Sequence, residues 1–244
     1  MQHIILVTGA GKGIGKAIAT AFAQAGRHLP DFEPLLVLCS RSQEDLDAIS
    51  LECRAEGAAT DTVACDLGRI EDVRMLASHI LDRHGSIDCL VNNAGVGRFK
   101  ALEEISEEDF DFTMATNLKG TFFLTQALFP VMQQKRSGHI FFITSVAAEK
   151  AFKHSSVYCM SKFGQRGLVE TMRLYARECN VRITDVLPGA VHTPMWGEVT
   201  DEFRSHMMMP EDVAAPIVQA YLQPGRTCIE EIVLRPTGGD LQDA

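Results

Sequence analysis

The sequence predicts an α/β fold, a doubly wound seven-stranded parallel sheet flanked by helices, in one domain of 244 residues. Three observations predict it. Apolar β-type runs alternate with longer amphipathic stretches along the chain, the pattern of strand–helix–strand units around a parallel sheet. The first run, Ile4 to Val7, is apolar without alternation, as a strand buried on both faces must be. It passes directly into Gly9-Ala10-Gly11-Lys12-Gly13-Ile14-Gly15, a glycine-rich turn that opens a helix.

Strands are expected near 2–8, 35–39, 61–65, 87–92, 139–144, 181–187 and 229–235. Helices are expected over 14–26, 43–56, 70–84, 107–135, 156–179 and 210–222. Right-handed crossovers then place helices on both faces of the sheet. No repeat, linker or low-complexity tract divides the chain, so 1–244 reads as a single domain.

Composition narrows the function. A net charge of −9 argues against nucleic acid as a partner. No apolar run approaches the ~20 residues of a membrane span, and no charged leader with an apolar stretch precedes the first strand. The seven cysteines are dispersed without a Cys-x-x-Cys pair, which fits reduced, mostly buried thiols in the cytoplasm. The eight histidines show no metal-ligand spacing, so no metal is expected.

The glycine loop has a physical reading of its own. Its glycines permit a tight turn and close approach of backbone to a pyrophosphate, which the helix N-terminus then faces with free N–H groups. The second strand ends in Ser40-Arg41 instead of an acid. A guanidinium suits the 2′-phosphate of NADP(H), and Lys12 adds a second charge; the alternative is that both are solvated surface cations. Tyr158 and Lys162 stand four residues apart, one turn on one helix face, where an ammonium favours the phenolate and lowers its pKa. Ser145 ends a strand thirteen residues before Tyr158, close enough for the two hydroxyls to converge.

Together Thr8-Gly-x-x-x-Gly-x-Gly15, Asn92-Asn93-Ala94-Gly95, Asn117, Ser145, Tyr158-x-x-x-Lys162 and Pro188-Gly189 resemble the ordered motifs of the short-chain dehydrogenase/reductase family. The resemblance implies a Rossmann-type fold and carbonyl or alcohol chemistry, with Asn117, Ser145, Tyr158 and Lys162 catalytic. Tyr158 would donate the proton, Ser145 would hold the carbonyl oxygen, and Lys162 would lower the Tyr158 pKa and bind the nicotinamide ribose. Asn117 would hold a water linking Lys162 to solvent. For the cofactor the resemblance implies Gly9, Gly11, Lys12, Gly13, Ile14 and Gly15 of the loop, with Asp66-Leu67 at the adenine. It adds Asn93, Ala94 and Gly95 on the adenosine side, and Pro188, Gly189, Val191 and Thr193 around the nicotinamide. Asp66 also reads as a plain cap on the helix from residue 70.

The substrate side is read from position. Phe99 and Phe152 are placed to wall the pocket. Met195, Trp196, Phe203 and Met207 to Met209 suit either a lid over a flat or apolar substrate or ordinary core packing. Glu33 to Arg41 resembles the corresponding region of the sepiapterin-reducing branch of the family. That resemblance implies a pterin substrate anchored by Asp240; the alternative is an acidic tail with Asp243. A 3-oxoacyl-carrier-protein reductase is the other catalytic reading, and a non-catalytic NADP-binding regulator stands outside that class. Helices 107–135 and 156–179 carry apolar residues on more than one face, including Phe122, Phe123, Leu124, Leu128 and Phe129, so a homodimer or homotetramer is expected.

Overall fold

Alternating side chains decide which face of each strand meets which helix. In the structure, a computed structural model that describes residues 2–240, the strands are β1 (Gln2–Thr8), β2 (Glu33–Ser40), β3 (Ala59–Ala64), β4 (Cys89–Asn92), β5 (Gly138–Ile143), β6 (Val181–Pro188) and β7 (Glu231–Leu234). They form one parallel sheet in the order β3-β2-β1-β4-β5-β6-β7. Ile5, Val7, Leu36, Leu38, Phe141 and Ile143 bury on one face, beneath α1 (Gly13–His28) and α8 (Pro210–Tyr221). Leu6, Val37, Leu90, Ile140 and Phe142 bury on the other, beneath α3 (Ile70–His84), α5 (Thr121–Lys135) and α6 (Ser156–Glu178). The strand order reverses between β1 and β4, and the carboxyl ends of these strands open a crevice there.

The remaining helices are α2 (Gln43–Ala55), α4 (Glu107–Met114) and the short α7 (Asp201–Ser205). The expected single helix over 107–135 is in fact three pieces: α4, a π-helical turn over Ala115–Gly120, and α5. Close packing gives a reason. A Cβ on Gly120 would lie 2.1 Å from Leu67 O, so the helix passes against the loop after β3 without a side chain and with a locally widened turn. Hydrophobic periodicity carries no signal for this shift in hydrogen bonding. The helix α7, also unforeseen, is capped by Thr200, whose hydroxyl accepts from Phe203 N at 3.2 Å.

At the β3 edge Asp61 Oδ2 accepts from His79 Nε2 at 2.9 Å and His84 Nε2 at 2.8 Å, with Arg83 Nε 3.4 Å away. These bonds clasp the edge strand to α3, a pairing that sequence spacing does not reveal. Six cysteines are buried and Cys228 is exposed. No helix among the described residues is long and apolar enough to cross a membrane.

Candidate active site

Thr8 fixes the crevice at its base. Its hydroxyl donates to Val91 O at 3.1 Å and accepts from Asn93 N and Ala94 N, each at 3.0 Å, tying the end of β1 to the turn after β4. Asn93 Nδ2 donates back to Thr8 O at 2.7 Å. Asn93 therefore holds the glycine loop in place. Gly9 and Gly13 adopt φ of 65° and 54°, the left-handed region in which glycine is unstrained. Gly15 works differently, since a Cβ there would lie 2.2 Å from Gly9 O; it is buried behind the loop and lets α1 pack closely.

The crevice is a cleft of about 1220 Å³, and Gly9, Gly11, Lys12, Gly13 and Ile14 line one end. Ser40, Arg41, Asp66 and Leu67 border the same end, and Ala94, Gly95, Pro188, Gly189, Val191 and Thr193 line the middle. Arg41 is exposed at the rim. Lys12 Nζ pairs with Asp45 Oδ2 at 3.1 Å, so its charge is shared with the start of α2. Asp66 does not cap α3, whose N-terminus at Arg69 takes no side-chain cap. It faces the cleft, and its Oδ1 accepts from Gly68 N at 2.9 Å, shaping the turn into α3. Gly189 N donates to Leu234 O at 2.7 Å, anchoring the Pro-Gly turn to the last strand.

Ser145 and Tyr158 meet on the cleft wall as the spacing predicts. Ser145 Oγ donates to Pro188 O at 3.3 Å and accepts from Ala147 N at 3.1 Å, so β5 and β6 together aim it. Tyr158 is part-buried, its ring 5.4 Å from that of Phe99. Burial pushes its phenol up to about 12, although the neighbouring Ser145 hydroxyl works in the other direction. Lys162 is 2 % exposed, and burial pulls its ammonium down to about 8, against the opposing pull of the Asp185 carboxylate. The expected lowering of Tyr158 by Lys162 is thus not realised here. Lys162 Nζ turns to Ile143 O at 2.8 Å and Gln165 Oε1 at 2.9 Å, and sits 5.7 Å from the tyrosine ring centre.

Asn117 also departs from expectation. It sits in the π-helical turn, fully buried, behind the cleft wall. Its Nδ2 donates to Val96 O at 2.8 Å and Ser161 Oγ at 3.0 Å, and its Oδ1 accepts from Val96 N at 2.8 Å. The amide expected to hold a water is satisfied by protein atoms and braces the loop after Gly95. Gln165 is absent from the residues expected by sequence, although three positions separate it from Lys162 and put both on one helix face.

At the other end Phe99, Phe152, Met195, Trp196, Phe203 and Asp240 line the cleft. The stretch from Met195 to Met209 divides between its two readings. Trp196 and Phe203 pack edge to face at 5.6 Å on the cleft side, while Met207 is buried and Met208 packs into the core and bridges Val191. Asp240 is ion-paired, to Arg235 Nε at 3.1 Å and Lys150 Nζ at 3.6 Å. Asp243 lies outside the described residues.

Known proteins resemble this chain in sequence and fold. The family model for short chain dehydrogenase matches residues 3–203. A sepiapterin reductase of Chlorobaculum tepidum is 73% identical over 243 residues, covering 100% of both chains. A 3-oxoacyl-[acyl-carrier-protein] reductase of Thermotoga maritima is 30% identical over 88% of each chain. Among solved structures, an alcohol dehydrogenase from the archaeon Thermococcus sibiricus complexed with 5-hydroxy-NADP superposes with a TM-score of 0.88 at 28% identity, covering 97% of both chains. A metagenomic short-chain oxidoreductase in complex with NADP gives a TM-score of 0.83 at 32% identity, covering 96% of this chain and 97% of its own. With a family match over most of its length and the serine, tyrosine and lysine of the motif set on one cleft, the chain belongs to the short-chain dehydrogenase/reductase family of oxidoreductases.

Proposed function

We propose that the protein is an NADPH-dependent carbonyl reductase whose substrate is the keto side chain of a pterin. The observation that carries the reductase reading is the meeting of Ser145, Tyr158 and Lys162 on a cleft that begins at a glycine loop and ends in aromatic walls. The residues fit the cofactor. A Cβ at Gly11 would meet Asp45 Cβ at 2.8 Å and Ser40 Oγ at 3.1 Å, so the loop leaves room only as glycine. The exposed Arg41, on the same cleft as Lys12, offers paired donors to a 2′-phosphate. When bound, NADPH supplies a hydride to the substrate carbon.

The chain's own residues supply the rest. Ser145 Oγ hydrogen-bonds the carbonyl oxygen as negative charge grows on it. Tyr158 delivers the proton to that oxygen as general acid. A phenol raised to about 12 is protonated at neutral pH, which is the form a reductase needs at the start of its cycle. Lys162, on the same wall one turn along α6, binds the nicotinamide ribose and offers its positive charge to the phenolate left when the proton has gone, while Asn117 braces the wall from behind.

The pterin reading is supported by the 73% identical relative named a sepiapterin reductase and by Asp240 at the substrate end of the cleft. A carboxylate there accepts paired hydrogen bonds from the ring N–H and amino group of a pterin, with Arg235 and Lys150 holding its charge in place. Oxidation of NADPH by the purified protein, followed with sepiapterin, an acetoacetyl thioester and simple diketones, tests both levels. The reading expects fastest turnover with sepiapterin. Preference for the thioester would replace the pterin, and no turnover with any carbonyl would remove the reductase.

We also infer a homodimer or homotetramer. Met114, Leu118, Phe122, Phe123 and Leu168 line a shallow groove of about 830 Å³ between the α4–α5 segment and α6, floored by Gly164 and Gly167. Phe163, Leu174 and Tyr175 extend exposed apolar surface along α6. Sedimentation at micromolar concentration is expected to show a multiple of the 26.8 kDa chain, and a single-chain mass would reject the assembly.

A further inference from the structure

Lys162 is held from behind by a side chain with no part in the chemistry described so far. Gln165 is 1 % exposed. Its Oε1 accepts from Lys162 Nζ at 2.9 Å, while its Nε2 donates to Asn117 O at 2.6 Å and to Thr121 Oγ1 at 3.3 Å. The amide can face only one way. Reversed, its NH2 would meet an ammonium that has no acceptor, and its oxygen would meet the Asn117 carbonyl. The space between the ammonium and the π-helical turn is therefore bridged by the protein itself, with donor matched to acceptor at each end.

We propose that Gln165 is a positioning residue for the reductase reaction: anchored on Asn117 O and Thr121, it fixes the place of the Lys162 ammonium and helps keep it charged. The role rests on the reading of Tyr158 and Lys162 given under Proposed function. Ile143 O is the other acceptor of Lys162 Nζ, so Gln165 supplies one of the two oxygens bonded to a buried cation. The groups around the ammonium are few. Tyr158 stands one turn back on α6, Asp185 approaches from β6, and the π-helical turn offers the uncharged Asn117. Arg166 on α6 is turned away, to Glu149 at 2.7 Å and Glu231 at 3.0 Å. An acceptor bonded to the charged form raises the pKa of a buried amine, and losing that acceptor lets burial pull it lower.

Two substitutions separate positioning from packing. Gln165→Leu keeps the bulk and removes both bonds; Gln165→Glu keeps the shape and puts a carboxylate beside the ammonium, while its second oxygen loses the bond to Asn117 O. The Lys162 Cε resonance is followed against pH in cofactor-free protein labelled with 13C-lysine and assigned by Lys162→Arg. In Gln165→Leu the Lys162 titration is expected to fall by roughly one pH unit, and in Gln165→Glu to rise by a similar amount. With NADPH and sepiapterin, the basic limb of kcat/KM is expected to move with it, and kcat of Gln165→Leu to fall roughly tenfold or more at neutral pH. A titration that stays put in both variants, or moves the same way in both, overturns the proposal. Should Gln165→Leu fail to melt cooperatively, the nearly isosteric Gln165→Glu decides alone. A wild-type protein that reduces no carbonyl removes the functional reading, while the titration still judges whether Gln165 holds Lys162.

Discussion

The two ends of the sheet both bury titratable side chains, yet only the carboxyl end sets them on the large cleft. At the carboxyl end, Tyr158 and Lys162 are driven up to about 12 and down to about 8 by burial, beside a cleft that admits a ligand. At the amino end, His139 lies buried at the start of β5, its Nε2 bonded to Thr184 Oγ1 at 2.7 Å and its ring stacked on Phe141 at 3.9 Å. Tyr221 Oη meets His3 Nδ1 at 2.8 Å, with the Arg182 guanidinium 5.8 Å over its ring. Burial raises the Tyr221 phenol and pulls His139 well below its ordinary value. A perturbed pKa therefore records burial, and it marks function only where the group opens on a cleft with other donors converging.

The strongest way to break this comparison is to remove the same atom at each end. Tyr158→Phe is expected to lower kcat for NADPH-dependent carbonyl reduction by about 10²–10⁴-fold, the worth of a positioned general acid, while NADPH still binds. Tyr221→Phe is expected to leave kcat unchanged and to cost about 1 kcal/mol of stability, one hydrogen bond to His3. Steady-state kinetics and melting curves on the two variants decide it. A fall in kcat in Tyr221→Phe, or full activity in Tyr158→Phe, would erase the distinction.

Within the cleft, the two ends should separate as well. Arg41→Asp is expected to weaken NADPH by roughly ten- to a hundredfold, the scale of a charge-assisted hydrogen bond, and to leave NADH little affected. The ratio of kcat/KM for the two cofactors reports this, and an unchanged ratio would leave Arg41 a solvated cation. At the far end, Asp240→Asn is expected to raise KM for sepiapterin about tenfold, equivalent to ~1.4 kcal/mol, and to spare a small diketone. Equal losses on both substrates would assign Asp240 to tail structure through Arg235 and Lys150.

The parts legible in the sequence are those that local chemistry dictates. The glycine loop declares itself because only glycine adopts the backbone at Gly9 and Gly13 and clears the contacts at Gly11 and Gly15. Tyr158 and Lys162 declare themselves by helical spacing, and each of the seven expected strands overlaps an observed one; β1, β2 and β5 are plainest, since a strand buried on both faces needs an apolar run. What stayed hidden depends on contacts between distant segments. The break at Ala115–Gly120 follows from the approach of Gly120 to Leu67. The direction of Lys162 follows from a carbonyl on β5 and an amide one turn along. The Asn117 amide reads as a water holder until Val96 and Ser161 are brought against it. Spacing names the candidate side chains; tertiary contacts decide which way they point.

The smallest expected effect tests the silent end of the sheet. In the unfolded chain His139 has an ordinary pKa near 6.5, and in the folded protein burial holds it well below that. The unfolded state therefore binds the proton first, and stability falls as pH drops below 6.5 toward the folded value. Burial also lowers His3, with the Asp88 carboxylate opposing, so it adds to the same window. His139→Phe keeps an aromatic ring against Phe141, removes the buried Nδ1 that has no partner, and leaves Thr184 Oγ1 bonded to Ile229 O at 2.6 Å. Its melting temperature is expected to fall less steeply than that of the wild type between pH 6.5 and about 5, with kcat/KM at neutral pH unchanged. Parallel slopes for the two proteins would move the acid sensitivity to other groups. A loss of activity at neutral pH would mean that the two ends of the sheet are coupled after all.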